Sequence, residues 1–235
     1  MARRSLLGSL IGGAVCLLIF LVTTILVFSQ ITQGADAELA LAINHTASSA
    51  SFTALMVFFS DYGREYFWIP IVAAMLLLGN RDTKLLAIEL GALFVAGIVA
   101  GEILKFVAYR ARPYEVVSGI VRRLPIDTDS SFPSGHALIV SIGATFAVAR
   151  FRYRVVSLLL VVEAALVCYS RIYTGMHYPL DVVGGVFLGI GIVGVGLFVL
   201  ERYAEPLLKR FAAAAVTVLR DGPLRLGYED RTHAE

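Results

Sequence analysis

Charge is what this sequence has least of. Only 16% of its 235 residues are Asp, Glu, Lys or Arg, against about 25% in a soluble globular domain. Neither sign dominates, and a formal net charge of +2 is too small to recruit a nucleic acid. Cysteine is almost absent. Cys16 and Cys168 each sit in an apolar run, without a CxxC partner or a histidine at ligand spacing. Both read as small packing residues, and they say nothing of a redox compartment. Internal repeats and low-complexity tracts are also lacking.

What fills the chain is apolar, 58% of all residues. These residues form long runs separated by short charged clusters, the pattern of a polytopic helical membrane protein. Residues 5–30 carry no charge and follow Arg3 and Arg4. That run exceeds the roughly 7–15 residues of a signal-peptide core, so it reads as a retained first span. Further spans are expected at 66–80, 84–106, 134–150, 154–170 and 180–200. The piece from Phe52 to Phe59 is too short to cross and reads as an interfacial or re-entrant helix within a mixed segment, 31–65. The expectation is an all-α, polytopic membrane bundle of about six transmembrane helices over residues 1–200. A polar cytoplasmic tail follows at 201–235, with a surface helix near 205–219. Gly185 and Gly189, four apart, allow close helix approach in the last span.

The positive-inside rule orients the bundle. With the N-terminus inside, inner segments hold Arg3, Arg4, Arg81, Lys84, Arg150, Arg152 and Arg154, and Arg202, Lys209 and Arg210 follow the last span. Both termini are therefore expected in the cytoplasm. Three polar clusters then fall on the outer face: KFVAYRARP at 105–113, FPSGH at 132–136 and SRIYTGMHYPLD at 170–181. Ionisable groups near membrane depth mark function by default.

Lys105, Arg112 and Arg171 would put three positive charges at one place. Without an anion they repel, and phosphate matches both the arginine fork and the lysine point charge. Pro133 suits a helix start, and Ser134 and Gly135 offer backbone N–H groups there, with His136 in reach of the same anion. His177 and Asp181 are spaced i,i+4 at the entry to the last span. The carboxylate can accept a hydrogen bond from one imidazole nitrogen and leave the other as a free lone pair. A metal set of His136, His177 and Asp181 is the rival reading, but three cations beside it oppose a divalent cation and favour an oxyanion.

Lys105, six residues, Arg112-Pro113; Pro133-Ser134-Gly135-His136; then Ser170-Arg171, five residues, His177, three residues, Asp181. In this order the residues resemble the tripartite signature of the type 2 phosphatidic acid phosphatase superfamily, over about residues 100–185. The resemblance implies that His177 attacks phosphorus and forms a phosphohistidine, and that Asp181 orients it. His136 would protonate the leaving oxygen and then help activate water. Lys105, Arg112, Ser134, Gly135 and Arg171 would hold the phosphoryl oxygens. No metal or organic cofactor is implied, and the partner is a lipid phosphate within the cell membrane. Candidates include phosphatidic acid, phosphatidylglycerol phosphate and undecaprenyl diphosphate, with the site on the extracytoplasmic face. The superfamily's soluble vanadium haloperoxidases do not fit six apolar runs. A lipid phosphotransferase using the same intermediate, or a non-catalytic phospholipid binder or transporter, are the alternatives.

Around the signature, Tyr109, Tyr114, Tyr173, Tyr178 and Trp68 read as an interfacial aromatic belt. Arg110, Arg122 and Arg123 either meet a second phosphate of a diphosphate or contact headgroups. Glu102, on the helix face of Lys105, reads as a tether for Lys105 or another basic group.

Overall fold

The protein is represented by a computed structural model that describes residues 3–46 and 49–204. Among these residues the regular structure is helical: α1 (Arg3–Phe28), α2 (Gln30–Asn44), α3 (Ala50–Tyr62), α4 (Glu65–Leu78), α5 (Arg81–Val107), α6 (Pro113–Val116), α7 (Gly135–Arg150), α8 (Arg154–Tyr173) and α9 (Pro179–Val199), the last running into a π-helical turn, Leu200–Ala204. Local chemistry sets the starts. Asn80 caps α5 by accepting from Thr83 N at 2.9 Å. Ser49 caps α3 by accepting from Phe52 N, and prolines open α6 and α9, where a missing N–H goes unmissed.

Four helices are long and apolar enough to cross a membrane: α1, α5, α8 and α9. Their outward faces are apolar, as at Leu18, Ile25, Ile88, Val95, Leu158 and Leu159. In water such a surface would drive aggregation, whereas in lipid it is the ordinary exterior. α4 and α7 are apolar but shorter, with 14 and 16 residues. At 1.5 Å per residue they reach roughly 21 and 24 Å, less than the roughly 30 Å hydrocarbon core. α7 is the most enclosed helix, packed by α5, α8 and α9.

The segment 31–65, read from sequence as mixed with one short helical piece, instead forms the two helices α2 and α3. The tail beyond residue 204, including the expected surface helix near 205–219, lies outside the described residues. The aromatic belt is also corrected in part. Tyr109 is exposed, but Trp68, Tyr173 and Tyr178 are buried. Trp68 packs against Gly143 of α7 and stacks edge-on to Phe67 and Phe94.

Glycines bring backbones into contact where it matters for the site. A Cβ on Gly185 would stand 2.5 Å from the Ser134 carbonyl oxygen, and one on Gly189 would stand 2.7 Å from that of Leu138. α9 therefore runs backbone-to-backbone along α7. That approach sets the start of α9 beside the start of α7, where Ser134 N donates to the Asp181 carbonyl at 3.0 Å. At the opposite end Arg150 bridges Glu89 of α5 and Glu201 after α9. The bundle is thus clasped at one end by an ion cluster and shaped at the other into a cleft.

Candidate active site

The cleft, about 360 Å³, is lined by Lys105, Arg112, Gly135, His136, Arg171 and His177 among others. Each arrives from a helix end. Lys105 closes α5, Arg112 precedes α6, Gly135 and His136 open α7, Arg171 lies in the last turn of α8, and His177 sits between α8 and α9. The three cationic side chains are buried, Arg112 being 1% exposed. Arg171 is held by Ser60, donating to its carbonyl at 3.0 Å and its hydroxyl at 3.1 Å. Its Nε has no partner among the described residues, a donor left for an incoming oxygen.

Two loop carboxylates meet these cations. Asp129 pairs with both Lys105 and Arg112. Asp127 stands 3.2 Å from Arg112 and 3.6 Å from Arg171. Burial alone would push the Asp129 carboxyl up, but hydrogen bonds from Lys105 and Arg112 outweigh it and hold the pKa at about 2. Lys105 therefore takes Asp129, and the Glu102 tether expected from sequence does not form with it.

His177 is fixed from behind. Its Nδ1 donates to the Ser131 carbonyl at 2.8 Å, while its Nε2 accepts from Arg112 at 3.3 Å. Arginine can only donate, so Nε2 carries the lone pair and Nδ1 the proton. Burial first, then the charges of Arg171, Arg112 and Lys105, push the imidazole well below its ordinary pKa. The ring is neutral, the form a nucleophile requires.

Asp181 lies 3.6 Å from His177 Nδ1, outside direct hydrogen-bond reach. Its oxygens accept from the Ser131 hydroxyl at 2.5 Å, the Tyr178 amide at 2.9 Å and Arg110 at 2.5 Å. The direct hydrogen bond read from the i,i+4 spacing is replaced by a relay through Ser131. Arg110 also pairs with buried Asp36 at 2.7 Å and lies 3.9 Å over the Tyr178 ring. Asp36 in turn caps Leu180 N at 3.0 Å. Arg123 donates to the carbonyls of Asn44 and Tyr173 and stacks on the Tyr173 ring. Of the three arginines read as second-phosphate or headgroup contacts, Arg110 and Arg123 thus hold protein groups, and Arg122 lies over Tyr114.

At the α7 start, Ser134 is committed to structure: its hydroxyl accepts from Ala137 N, and its N–H serves Asp181. The amides of Gly135 and His136, in the first turn, are the ones with no preceding carbonyl to satisfy them. Sequence reading missed Ser131, Asp127, Asp129 and Asp36. Ser131 could have been suspected from its place next to the FPSGH stretch; the acids gave no local signal. No set of three or more His, Cys, Asp or Glu side chains suited to a metal occurs among the described residues.

A sequence model of the PAP2 superfamily matches residues 85–203. The chain is 42% identical to an undecaprenyl-diphosphatase of Sulfolobus acidocaldarius over 179 residues, 74% of this chain and 84% of that protein. It is 32% identical to the undecaprenyl-diphosphatase BcrC of Bacillus subtilis, over 70% of this chain and 80% of that one. In fold it resembles the crystal structure of a transmembrane PAP2-type phosphatidylglycerolphosphate phosphatase from Bacillus subtilis. The TM-score is 0.68 and the identity 23%, covering 82% of this chain and 97% of that one. It also resembles LpxE of Aquifex aeolicus, with TM-score 0.60 and 26% identity over 68% and 93% of the two chains.

Proposed function

The chain belongs to the PAP2 superfamily and is a membrane phosphatase, and from that premise we propose that it hydrolyses a lipid phosphate or diphosphate, without a metal, through a phosphohistidine on His177. The observation that carries this reading is the state of His177. Its proton is committed to the Ser131 carbonyl, and its Nε2 lone pair, which accepts from Arg112 in the free site, borders a cleft walled by Lys105, Arg112 and Arg171.

In the proposed reaction the terminal phosphoryl group displaces Asp127 and Asp129 from the three cations. Phosphoryl transfer asks mainly for positioning and charge neutralisation, and the cations with the Gly135 and His136 amides supply both. His177 Nε2 forms a bond to phosphorus as the bond to the lipid oxygen breaks. His136, across the same cleft, gives that oxygen a proton. Water then attacks the phosphohistidine while His136 takes a proton back. Orthophosphate leaves and His177 is restored. Asp181 holds the Ser131 segment, and through it the imidazole.

The kinship with undecaprenyl-diphosphatases favours a polyprenyl diphosphate as the lipid. In the membrane we place α4 and α7 as the second and fourth of six spans, α7 shielded from lipid by its neighbours. The arginines of 150–154 then face the cytoplasm and the cleft faces out. The test is phosphate release from detergent-solubilised lipid phosphates with EDTA present, set beside His177→Ala. Release that needs a divalent metal, or that survives loss of His177, overturns the mechanism.

A further inference from the structure

A fourth cation reaches the cleft. Arg64, in the turn between α3 and α4, lines it together with the three buried cations and both histidines. Its Nη1 stands 3.0 Å from where a Cβ on Gly135 would lie, and Lys105 Nζ stands 3.8 Å from the same point. The two cation heads therefore flank the first turn of α7, on the His136 side of the site. Arg64 differs from the trio in two ways. Its side chain is 29% exposed, so it stands at the rim and not on the floor. It is also left out of the loop-acid pairing: Asp127 and Asp129 serve Lys105, Arg112 and Arg171, whereas Arg64 pairs with its neighbour Glu65. That pair engages Nε and Nη2, and the Nη1 edge is the one over Gly135. Glu65 is itself 45% exposed, and a solvated partner of this kind holds a guanidinium weakly.

We infer that Arg64 binds the second phosphate of a diphosphate substrate, the one that stays with the lipid, and so sets preference for diphosphate over monophosphate. This rests on the phosphatase reading above. With the terminal phosphoryl on the floor against His177, the bridging oxygen points toward His136 and the mouth. The next phosphate then comes to the rim, where the Arg64 fork can meet two of its oxygens. As the bond from phosphorus to the bridging oxygen breaks, negative charge builds on the departing lipid monophosphate, and Arg64 offsets it while His136 delivers the proton. Of the three arginines read from sequence for this task, Arg110 and Arg123 are bound to protein groups, and Arg122 lies over Tyr114 outside the cleft lining.

The test compares farnesyl monophosphate with farnesyl diphosphate, one tail with two headgroups, on the full-length protein. Arg64→Met keeps the stem and removes the charge. It should lower kcat/KM for the diphosphate by about 10-fold or more, the loss of one charge-assisted contact. The monophosphate rate should stay within about threefold, which also certifies the fold. Arg64→Lys, retaining charge without the fork, should recover part of the loss. As tail-free probes, inorganic pyrophosphate should inhibit Arg64→Met less well than wild type, and orthophosphate equally well. Equal losses on both substrates would make Arg64 another ligand of the reacting phosphoryl and overturn the inference, as would no loss on either. A His177→Ala protein that still releases phosphate at the wild-type rate, or a wild type that hydrolyses neither substrate, would instead sink the phosphatase reading, and this inference with it.

Discussion

His177 Nδ1 lies 2.8 Å from the Ser131 carbonyl and 3.6 Å from the nearer Asp181 oxygen. The imidazole is thus oriented by a backbone group, and the carboxylate sits one bond further back, on the Ser131 hydroxyl. Ser131→Ala keeps the carbonyl and removes the hydroxyl, with its bond to Asp181 and its longer 3.4 Å contact to His177 Nδ1. A hydrogen bond to an ionised carboxylate is worth about 1.5–3 kcal/mol, so kcat should fall about 10- to 150-fold. Asp181→Asn also unbalances Arg110 and loosens the start of α9. Misplacing the imidazole by about 1 Å would lower kcat about 100-fold. Steady-state kinetics on both variants decides it. A silent Ser131→Ala beside a crippled Asp181→Asn would mean that the carboxylate meets the histidine directly.

The neutral state of His177 sets the acid side of the pH profile. Its folded pKa is pushed below 6.5 by burial and then by Arg171, Arg112 and Lys105. The unfolded chain therefore binds this proton first as pH falls, and its contribution to stability, present above 6.5, is lost progressively as pH falls from there through the lower folded pKa. In kcat/KM the His177 limb should lie below pH 6.5. Lys105→Met removes one opposing charge, favours the imidazolium and should move that limb to higher pH, whatever it does to the maximum rate. A limb above 6.5 in the parent protein, or one indifferent to Lys105, would contradict the electrostatic account.

Asp129 is expected to compete with phosphate. At a pKa of about 2 it stays ionised across any working pH, and its carboxylate occupies Lys105 and Arg112 in the free cleft. The side chain is 44% exposed, which puts the pair in the solvent-screened range of about 0.2–1 kcal/mol. Asp129→Asn should therefore tighten vanadate inhibition by up to about fivefold. Weaker inhibition would make Asp129 a support for the cations and not a competitor.

The signature residues were legible because each motif is short and stands at the end of an apolar run. Once the runs are helices, the ends of α5 and α8 and the starts of α7 and α9 must meet if α7 and α9 pack side by side, as Gly185 hinted and its contact with Ser134 displays. The groups that hold the signature in place were not legible. Asp36 meets Arg110 across 74 positions and Ser131 meets Asp181 across 50, with no periodicity linking them. Asp36 also lies in α2, which its charges made look like a mixed segment. Tyr173 and Tyr178 carried the composition of an interfacial belt, but each ring has an arginine over it inside the fold, Arg123 and Arg110. Composition alone does not separate an aromatic facing headgroups from one packed beneath a guanidinium.

The central claim is a covalent bond between phosphorus and His177 Nε2. The most direct measurement is acid-avoiding rapid quench with substrate labelled with radioactive phosphorus in the terminal group, followed by peptide mapping, in a His136→Ala background that slows attack by water. The account predicts acid-labile, alkali-stable label on the peptide containing His177, and none in the His177→Ala protein. Turnover with no label on that peptide, or label on another residue, would contradict it.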